Sequence, residues 1–273
     1  MSEKNTSPPV FIINLEHSAD RRSRMAAQLD SLHLNYIFFK AVNGFDLNLE
    51  TLPSYSKLRR RLFFGRDLTP GEMGCLLSHR AIYQHRLEAN IKSAVILEDD
   101  VIIEPDFPDV INALIIAPIK WDVIRFLSSP KVYKQSRHIG LLCGPYALTR
   151  LTRTPGGAHA YLLTQHAARI FLSHMQRNWL PVDILHGHVW RTGLETFAVQ
   201  PSPVSQDTEI ESTIEVSRFD KTIHLSGWQR VLYPLTRASF KIYEYLGKRT
   251  ASYLALSRDT RLRWHLRHKV DSP

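Results

Sequence analysis

Short apolar runs, each closed by polar or turn-forming residues, recur along the chain up to Gln206. Val10-Phe11-Ile12-Ile13-Asn14-Leu15 is the first, Ser18 to Arg22 then opens a helix running toward Ser31, and Tyr36 to Phe39 reads as a second strand. Apolar runs of this length without polar alternation suit strands covered on both faces of a sheet. The strand, helix, strand order is that of a doubly wound nucleotide-binding half, although no glycine-rich fingerprint joins the first strand to its helix. A phosphate near that junction would be met by side chains such as Arg21 or Arg22, or by the helix amino end.

Residues 46 to 64 break the pattern and read as irregular, with Lys57, Arg59, Arg60 and Arg61 close together. Thr69-Pro70-Gly71-Glu72 restores it: Thr69 as N-cap, Pro70 at the first helical position and Glu72 closing a capping box predict a helix to about Glu88. A strand over Ala94 to Leu97 follows and ends in Glu98-Asp99-Asp100. Pro105 and Pro108 interrupt the chain, Trp121 to Phe126 offers another strand, and Thr154-Pro155-Gly156-Gly157 turns into a strand over Ala158 to Leu163. A helix from Gln165 to Gln176, a loop at Leu180-Pro181-Val182-Asp183 and a last core strand at Phe197 to Val199 complete the pattern. There is no internal repeat.

The 44% hydrophobic content of 273 residues is that of an ordinary globular protein with one large domain and room for an appendage. Met1 to Pro9 lacks a basic leader followed by an apolar core, and no apolar run reaches about 18 residues, so the expectation is a cytoplasmic protein without a membrane-spanning helix. Cys75 and Cys143 are too isolated for a disulfide framework or a cysteine-rich zinc site and read as reduced, packed thiols.

Charge changes the picture more. The formal net charge is +9, yet from Arg218 to Pro273 there are 12 Lys or Arg against 4 Asp or Glu, leaving 23 against 22 in the preceding 217 residues. The body is nearly neutral and carries no nucleic-acid reader motif, so no nucleic-acid partner is expected. In the tail, aromatic and aliphatic residues from Trp228 to Leu266 interleave with Arg230, Arg237, Lys241, Lys248, Arg249, Arg258, Arg267 and Lys269. That alternation suits an anionic membrane surface; the alternative is a pair of helices packed on the body with a solvated basic face.

Glu98-Asp99-Asp100 is the strongest chemical signal. Ligands collect at the carboxyl ends of strands in open α/β sheets, and three adjacent carboxylates repel one another unless hydrogen bonds, water or a divalent ion compensate. Hard oxygen donors favour Mg²⁺ or Mn²⁺ over zinc. A solvated acidic turn is the competing reading. The pair His186 and His188 lacks the third and fourth partners that a zinc site needs. His79 and His159 are each open to two readings, a site contact or a hydrogen-bonded core histidine.

Asn14-Leu15 with Asp20-Arg21-Arg22, Thr69 to His79, and Ile96 to Asp100 together resemble glycosyltransferase family 25 of lipooligosaccharide biosynthesis. Gly157 to Tyr161, Pro181-Val182-Asp183 and Pro203 to Gln206 resemble that family's later blocks in order, with Ala158 standing where a hydroxylated residue is common. The resemblance covers roughly residues 10 to 206. It implies an α/β fold of GT-A type, a nucleotide-binding sheet flanked by helices, here with a basic, aromatic-rich C-terminal helical tail. It further implies metal-dependent transfer of a sugar, usually galactose and with inversion, from a UDP-sugar donor to a saccharide acceptor. On this chain Asp100, with Glu98, would hold Mn²⁺ or Mg²⁺, and Glu98 and Asp99 would orient ribose, sugar or metal-bound water. Asn14, Leu15, Arg21, Arg22, His79 and His159 would lie about the nucleotide-sugar. Inversion needs a base for the acceptor hydroxyl, and Asp183 is the first choice with Glu195 second. A lone aspartate after Pro181 also reads as a helix cap or turn former.

The expected organisation is a flexible N-terminus (1–9), a catalytic domain (10–217) and a membrane-associating extension (218–273), at the inner face of a bacterial inner membrane where a lipooligosaccharide acceptor would sit. Two other readings are a sugar-nucleotide nucleotidyltransferase, disfavoured by the missing phosphate loop, and an inactive membrane-bound scaffold, disfavoured by the intact acid triplet.

Overall fold

The computed structural model describes residues 7–153, 155–207 and 225–270. The first run supplies β1 (Val10–Asn14), α1 (Ala19–Ser31) and β2 (Tyr36–Lys40). After a short 3-10 turn come α2 (Lys57–Phe64), α3 (Pro70–Glu88), β3 (Ser93–Glu98), β4 (Val101–Ile103), α4 (Phe107–Ile116) and β5 (Val123–Phe126). The second half holds α5 (Pro130–Tyr133), β6 (Ser136–Cys143), β7 (Tyr146–Leu151), β8 (Ala160–Thr164) and α6 (Gln165–His174). Then follow α7 (Val182–Gly187), α8 (Val189–Thr192), β9 (Thr196–Gln200), β10 (Val204–Gln206) and the long α9 (Trp228–Val270).

The strands form an eight-stranded sheet in the order β2-β1-β3-β8-β5-β9-β7-β6, with a small β10-β4 pair beside it. All but β8 and β7 run in one direction. This is a mixed α/β sheet flanked by helices. Val10 and Ile12 of β1, Val95 and Leu97 of β3, and Met25 and Leu29 of α1 pack on one face with Phe107 and Leu114 of α4. Phe11, Ile96 and Tyr161 face the other way, onto Met73, Leu76 and Tyr83 of α3 and Phe171 of α6. The side-chain alternation of a strand thus feeds two apolar layers, which is why β1 and β3 lack polar alternation.

α3 starts as its sequence predicts. Thr69 Oγ1 accepts the Glu72 N–H (3.1 Å), a Glu72 carboxylate oxygen accepts the Thr69 N–H (3.0 Å), and Pro70 occupies the first turn. Other expectations are corrected. The stretch 46–64 is not wholly irregular, since 57–64 forms α2, where Arg60 is buried over the Phe64 ring at 4.2 Å and Arg61 pairs with Asp67. Pro108 does not interrupt the chain but lies in the first turn of α4, where no amide donor is missed. Asp183 sits in the first turn of α7 and not in a loop.

The tail is one helix of 43 residues, with Pro234 inside it, and not a pair. It docks on α2, α8 and β6. Among the described residues no helix is long and apolar enough to cross a membrane. The expected flexible start lies outside the described residues over 1–6, as do the expected boundary at 217/218 and the side chains of Trp264, Leu266, Arg267 and Lys269.

Candidate active site

β1 and β3 are parallel neighbours, so Asn14 and Glu98 end side by side at their carboxyl edge. β8 is inserted in reverse between β3 and β5, pairing Leu97 with Ala160. That reversal brings His159, just before β8, to the same edge, where its carbonyl accepts the Glu98 N–H at 2.7 Å. The opening is a cleft of about 400 Å³ lined by Leu15, Arg21, Phe45, Cys75, Glu98, Asp99 and Asp100 among others.

Asp99 is held from two sides. Asn14 Nδ2 donates to its Oδ2 (2.7 Å) and Arg21 Nη1 to its Oδ1 (3.1 Å). Glu98 accepts from Cys75 Sγ (3.6 Å) and faces His79 Nε2 (3.4 Å). Burial works to raise the Glu98 pKa, but the hydrogen bond and charge of His79 outweigh it and hold the carboxyl below its ordinary value. Asp100 is the reverse case: burial first, then Glu98 and Asp99, push its pKa up to about 7. Its Oδ1 is buried and meets no donor among the described residues.

An under-satisfied carboxylate beside two further acids is what a divalent cation relieves, and the all-oxygen donor set of Glu98 and Asp100 fits Mg²⁺ or Mn²⁺. A second donor set is softer: Cys75, His79 and Glu98 place ligand atoms within 4.8 Å of one another. Thiol and imidazole donors are the softer chemistry of zinc and copper sites. His186 and His188 join no cluster of three ligand groups among the described residues.

The floor of the cleft depends on glycine. A Cβ at Gly44 would stand 1.7 Å from the Pro70 carbonyl oxygen, and one at Gly74 would stand 2.6 Å from the Val42 oxygen. Only bare backbone lets the 41–45 loop lie this close on α3. Ser78 Oγ adds a latch, accepting the Val42 N–H (2.8 Å) and donating to the Gly74 carbonyl (2.7 Å).

Several expected contacts lie elsewhere. Arg22 does not line the cleft; its guanidinium stacks over Phe38 at 4.2 Å, because helix periodicity turns it away from Arg21. His79 has no exposed surface, so it meets no diphosphate directly. Its Nδ1 lies 2.6 Å from the Tyr161 hydroxyl. His159 is buried between the charges of Glu98 and Arg125, with its pKa lowered chiefly by burial.

Asp183 approaches this edge through the 155–157 turn. A Cβ at Gly156 would stand 3.0 Å from its Oδ2, and its Oδ1 accepts the Ile184 N–H at 2.8 Å. Glu195 lies in a different cavity and is ion-paired with Arg150 (2.8 Å) and Arg258. Arg125 was not singled out by sequence reading. Its Nη2 donates to the carbonyls of Pro155 (3.0 Å), Gly156 (3.2 Å) and Gly157 (2.6 Å), so it shapes the turn beneath Asp183 and His159. The signal was an arginine inside an otherwise apolar strand.

Comparison with known proteins places the chain in a family. The sequence pattern of glycosyltransferase family 25, described as LPS biosynthesis protein, matches residues 7–186. Procollagen galactosyltransferase 1-B of Xenopus laevis is 37% identical over 134 residues, covering 45% of this chain and 21% of that protein. The probable inactive glycosyltransferase 25 family member 3 of Rattus norvegicus is 30% identical over 237 residues, covering 76% of this chain and 40% of that protein. A human relative, named as an inactive family member 3, is 29% identical over 223 residues, or 70% of this chain and 35% of its own length. The chain thus spans less than half the length of these relatives. With the match running from before β1 into α7, through the acid triplet and Asp183, the chain belongs to glycosyltransferase family 25.

Proposed function

We propose that the chain is an inverting glycosyltransferase that moves a hexose, galactose as first choice, from a UDP-sugar to a hydroxyl of a saccharide acceptor. The observation that carries this reading is the carboxylate pair Glu98 and Asp100 at the strand edge of a nucleotide-sized cleft, with Asp100 Oδ1 meeting no donor among the described residues. Leu15 and Phe45 supply apolar wall for a uracil ring. Arg21, already pinned by Asp99, adds a cation at the mouth for a diphosphate. Asp100 and Glu98 would hold Mn²⁺ or Mg²⁺, and the bound ion would offset the charge that builds on the departing diphosphate.

Asp183 is assigned the base that removes the proton from the acceptor hydroxyl, since it is the carboxylate that packs on the glycine turn leading to His159. Glu195, engaged by two arginines, is assigned to holding α9 against β7. The acceptor reading extends to a lipooligosaccharide at a membrane surface, supported by the exposed apolar side chains of α9.

The test is UDP release from a panel of UDP-sugars, with and without Mn²⁺ or Mg²⁺, against galactosyl, glucosyl and N-acetylglucosaminyl acceptors. Metal-dependent release from one donor with product formed is expected. Absence of turnover with every donor from folded, UDP-binding protein would place this chain with the relatives named inactive.

A further inference from the structure

Between α9 and the open end of the β6-β7 hairpin lies a groove of about 660 Å³ whose wall, among the described residues, carries four cations and no carboxylate. Arg137 comes from β6, Arg153 from the turn after β7, and Lys248 and Arg249 from α9. Much of the positive charge on this face is matched from behind. Asp259 accepts from Arg137 and Arg150, Glu195 from Arg150 and Arg258, and Glu244 from Lys248. Arg153 and Arg249 are different: both are exposed, and neither meets a carboxylate among the described residues.

Hydroxyls stand beside these cations. Arg137 Nη2 donates to Ser252 Oγ (3.4 Å) and Arg249 Nη1 to the Tyr245 hydroxyl (2.9 Å), and both hydroxyls line the groove. Each acts as an acceptor within the wall, and among the described residues the hydrogen of neither is taken, so each keeps an O–H to donate to an anion. Guanidinium forks match the paired oxygens of a phosphate, and a phosphate monoester carries about two negative charges near neutral pH. That is the charge two unmatched arginines balance; a carboxylate brings only one.

The groove shares no lining residue with the nucleotide cleft. It reaches the candidate active site from the side of Asp183: Pro155 is in its wall, and the next residue, Gly156, is the one that packs on Asp183 Oδ2. We propose that this groove binds a phosphate monoester carried by the saccharide acceptor, away from the hydroxyl that is glycosylated. The acceptor as carrier rests on the transferase reading with Asp183 as base; the anion site does not.

The experiment is calorimetry on the full chain without metal, with galactose 6-phosphate and glucose 6-phosphate as probes beside the parent sugars, glucuronate and inorganic phosphate. At least one sugar phosphate is expected to bind at least about tenfold more tightly than its parent sugar and than glucuronate, the size of one or two charge-assisted hydrogen bonds. Inorganic phosphate is expected to displace it, and raised salt to weaken it, as screening of exposed charges requires. Arg153→Gln and Arg249→Gln are surface changes that should keep the melting temperature. Each is expected to weaken the sugar phosphate about three- to tenfold, with UDP affinity kept. No binding by the wild type at low salt, equal binding of glucuronate, or undiminished binding by both variants overturns the site. Loss of binding to phosphatidic acid vesicles by Arg153→Gln, in a chain that takes up no free sugar phosphate, overturns the acceptor assignment in favour of a lipid headgroup. A chain that binds the sugar phosphate but never releases UDP keeps the anion site and loses the transferase reading.

Discussion

Asp100 carries a carboxyl whose ordinary pKa of 3.8 is pushed up to about 7, by burial first and then by Glu98 and Asp99. A raised acid pKa means that the fold favours the protonated form, so this stabilisation is full below 3.8 and is lost as pH rises to about 7. The metal-free protein is expected to melt lower at pH 8 than at pH 5. Asp100→Asn cannot ionise, and it should raise the pH 8 melting temperature in EDTA by about 2–4 °C for each kcal/mol relieved, while abolishing metal-dependent turnover. Scanning fluorimetry beside a UDP-release assay checks both, and full turnover by the variant would remove Asp100 from the metal site. For Asp183 the isosteric Asn still accepts the Ile184 N–H, so α7 should start as before. Transfer should then fall at least about 100-fold, the scale of a lost general base, with UDP-sugar binding kept. Weakened donor binding with normal turnover would assign Asp183 a structural role.

Where α3 meets the 41–45 loop, backbone lies directly on backbone at Gly44 and Gly74, with Ser78 Oγ tying the two together. Gly74→Ala would put a Cβ 2.6 Å from the Val42 oxygen and 2.7 Å from the Gly44 nitrogen, neither of which can rotate away. Overpacking of this kind costs about 1–3 kcal/mol, and because the loop is one wall of the cleft, UDP affinity should drop with stability. Calorimetry showing wild-type UDP affinity in Gly74→Ala would detach the loop from nucleotide binding. The capping box, the two apolar strands and the acids that end β3 were legible because each is a local pattern. The β6-β7 hairpin and α2 were not. Arg137 and Arg150 sit in that hairpin because Asp259 of α9 accepts from both, at 2.9 and 2.7 Å, from more than a hundred positions away. His79 was half legible: its sequence left it open between a site contact and a hydrogen-bonded core histidine, because the partners that decide, Tyr161 and Glu98, arrive from β8 and β3.

Over the molecule as a whole, α9 has two apolar faces. The inner one places Phe240 against Phe63 and Trp179 (ring centroids 5.4 and 5.6 Å) and lets Trp190 lie where a side chain at Gly247 would clash at 2.4 Å. The outer one carries Val231, Leu235, Ile242, Leu246 and Tyr253, each more than half exposed. Their spacing of four and seven residues keeps them on one stripe, flanked by Lys241, Lys248 and Arg249. An exposed apolar stripe of this length with cations beside it fits the boundary of an anionic bilayer, where each cation near the surface adds about 1 kcal/mol. Truncation is a poor test, because cutting after Lys248 would also remove Asp259 from Arg137 and Arg150. Leu235→Glu with Leu246→Glu touches only the outer face. The double variant is expected to lose at least tenfold in sedimentation with phosphatidylglycerol vesicles, with its melting temperature and its turnover on a soluble acceptor retained. Unchanged vesicle binding would refute a membrane role for the stripe. A wild-type dimer that the same two substitutions dissociate would assign the stripe to a second copy of the chain instead.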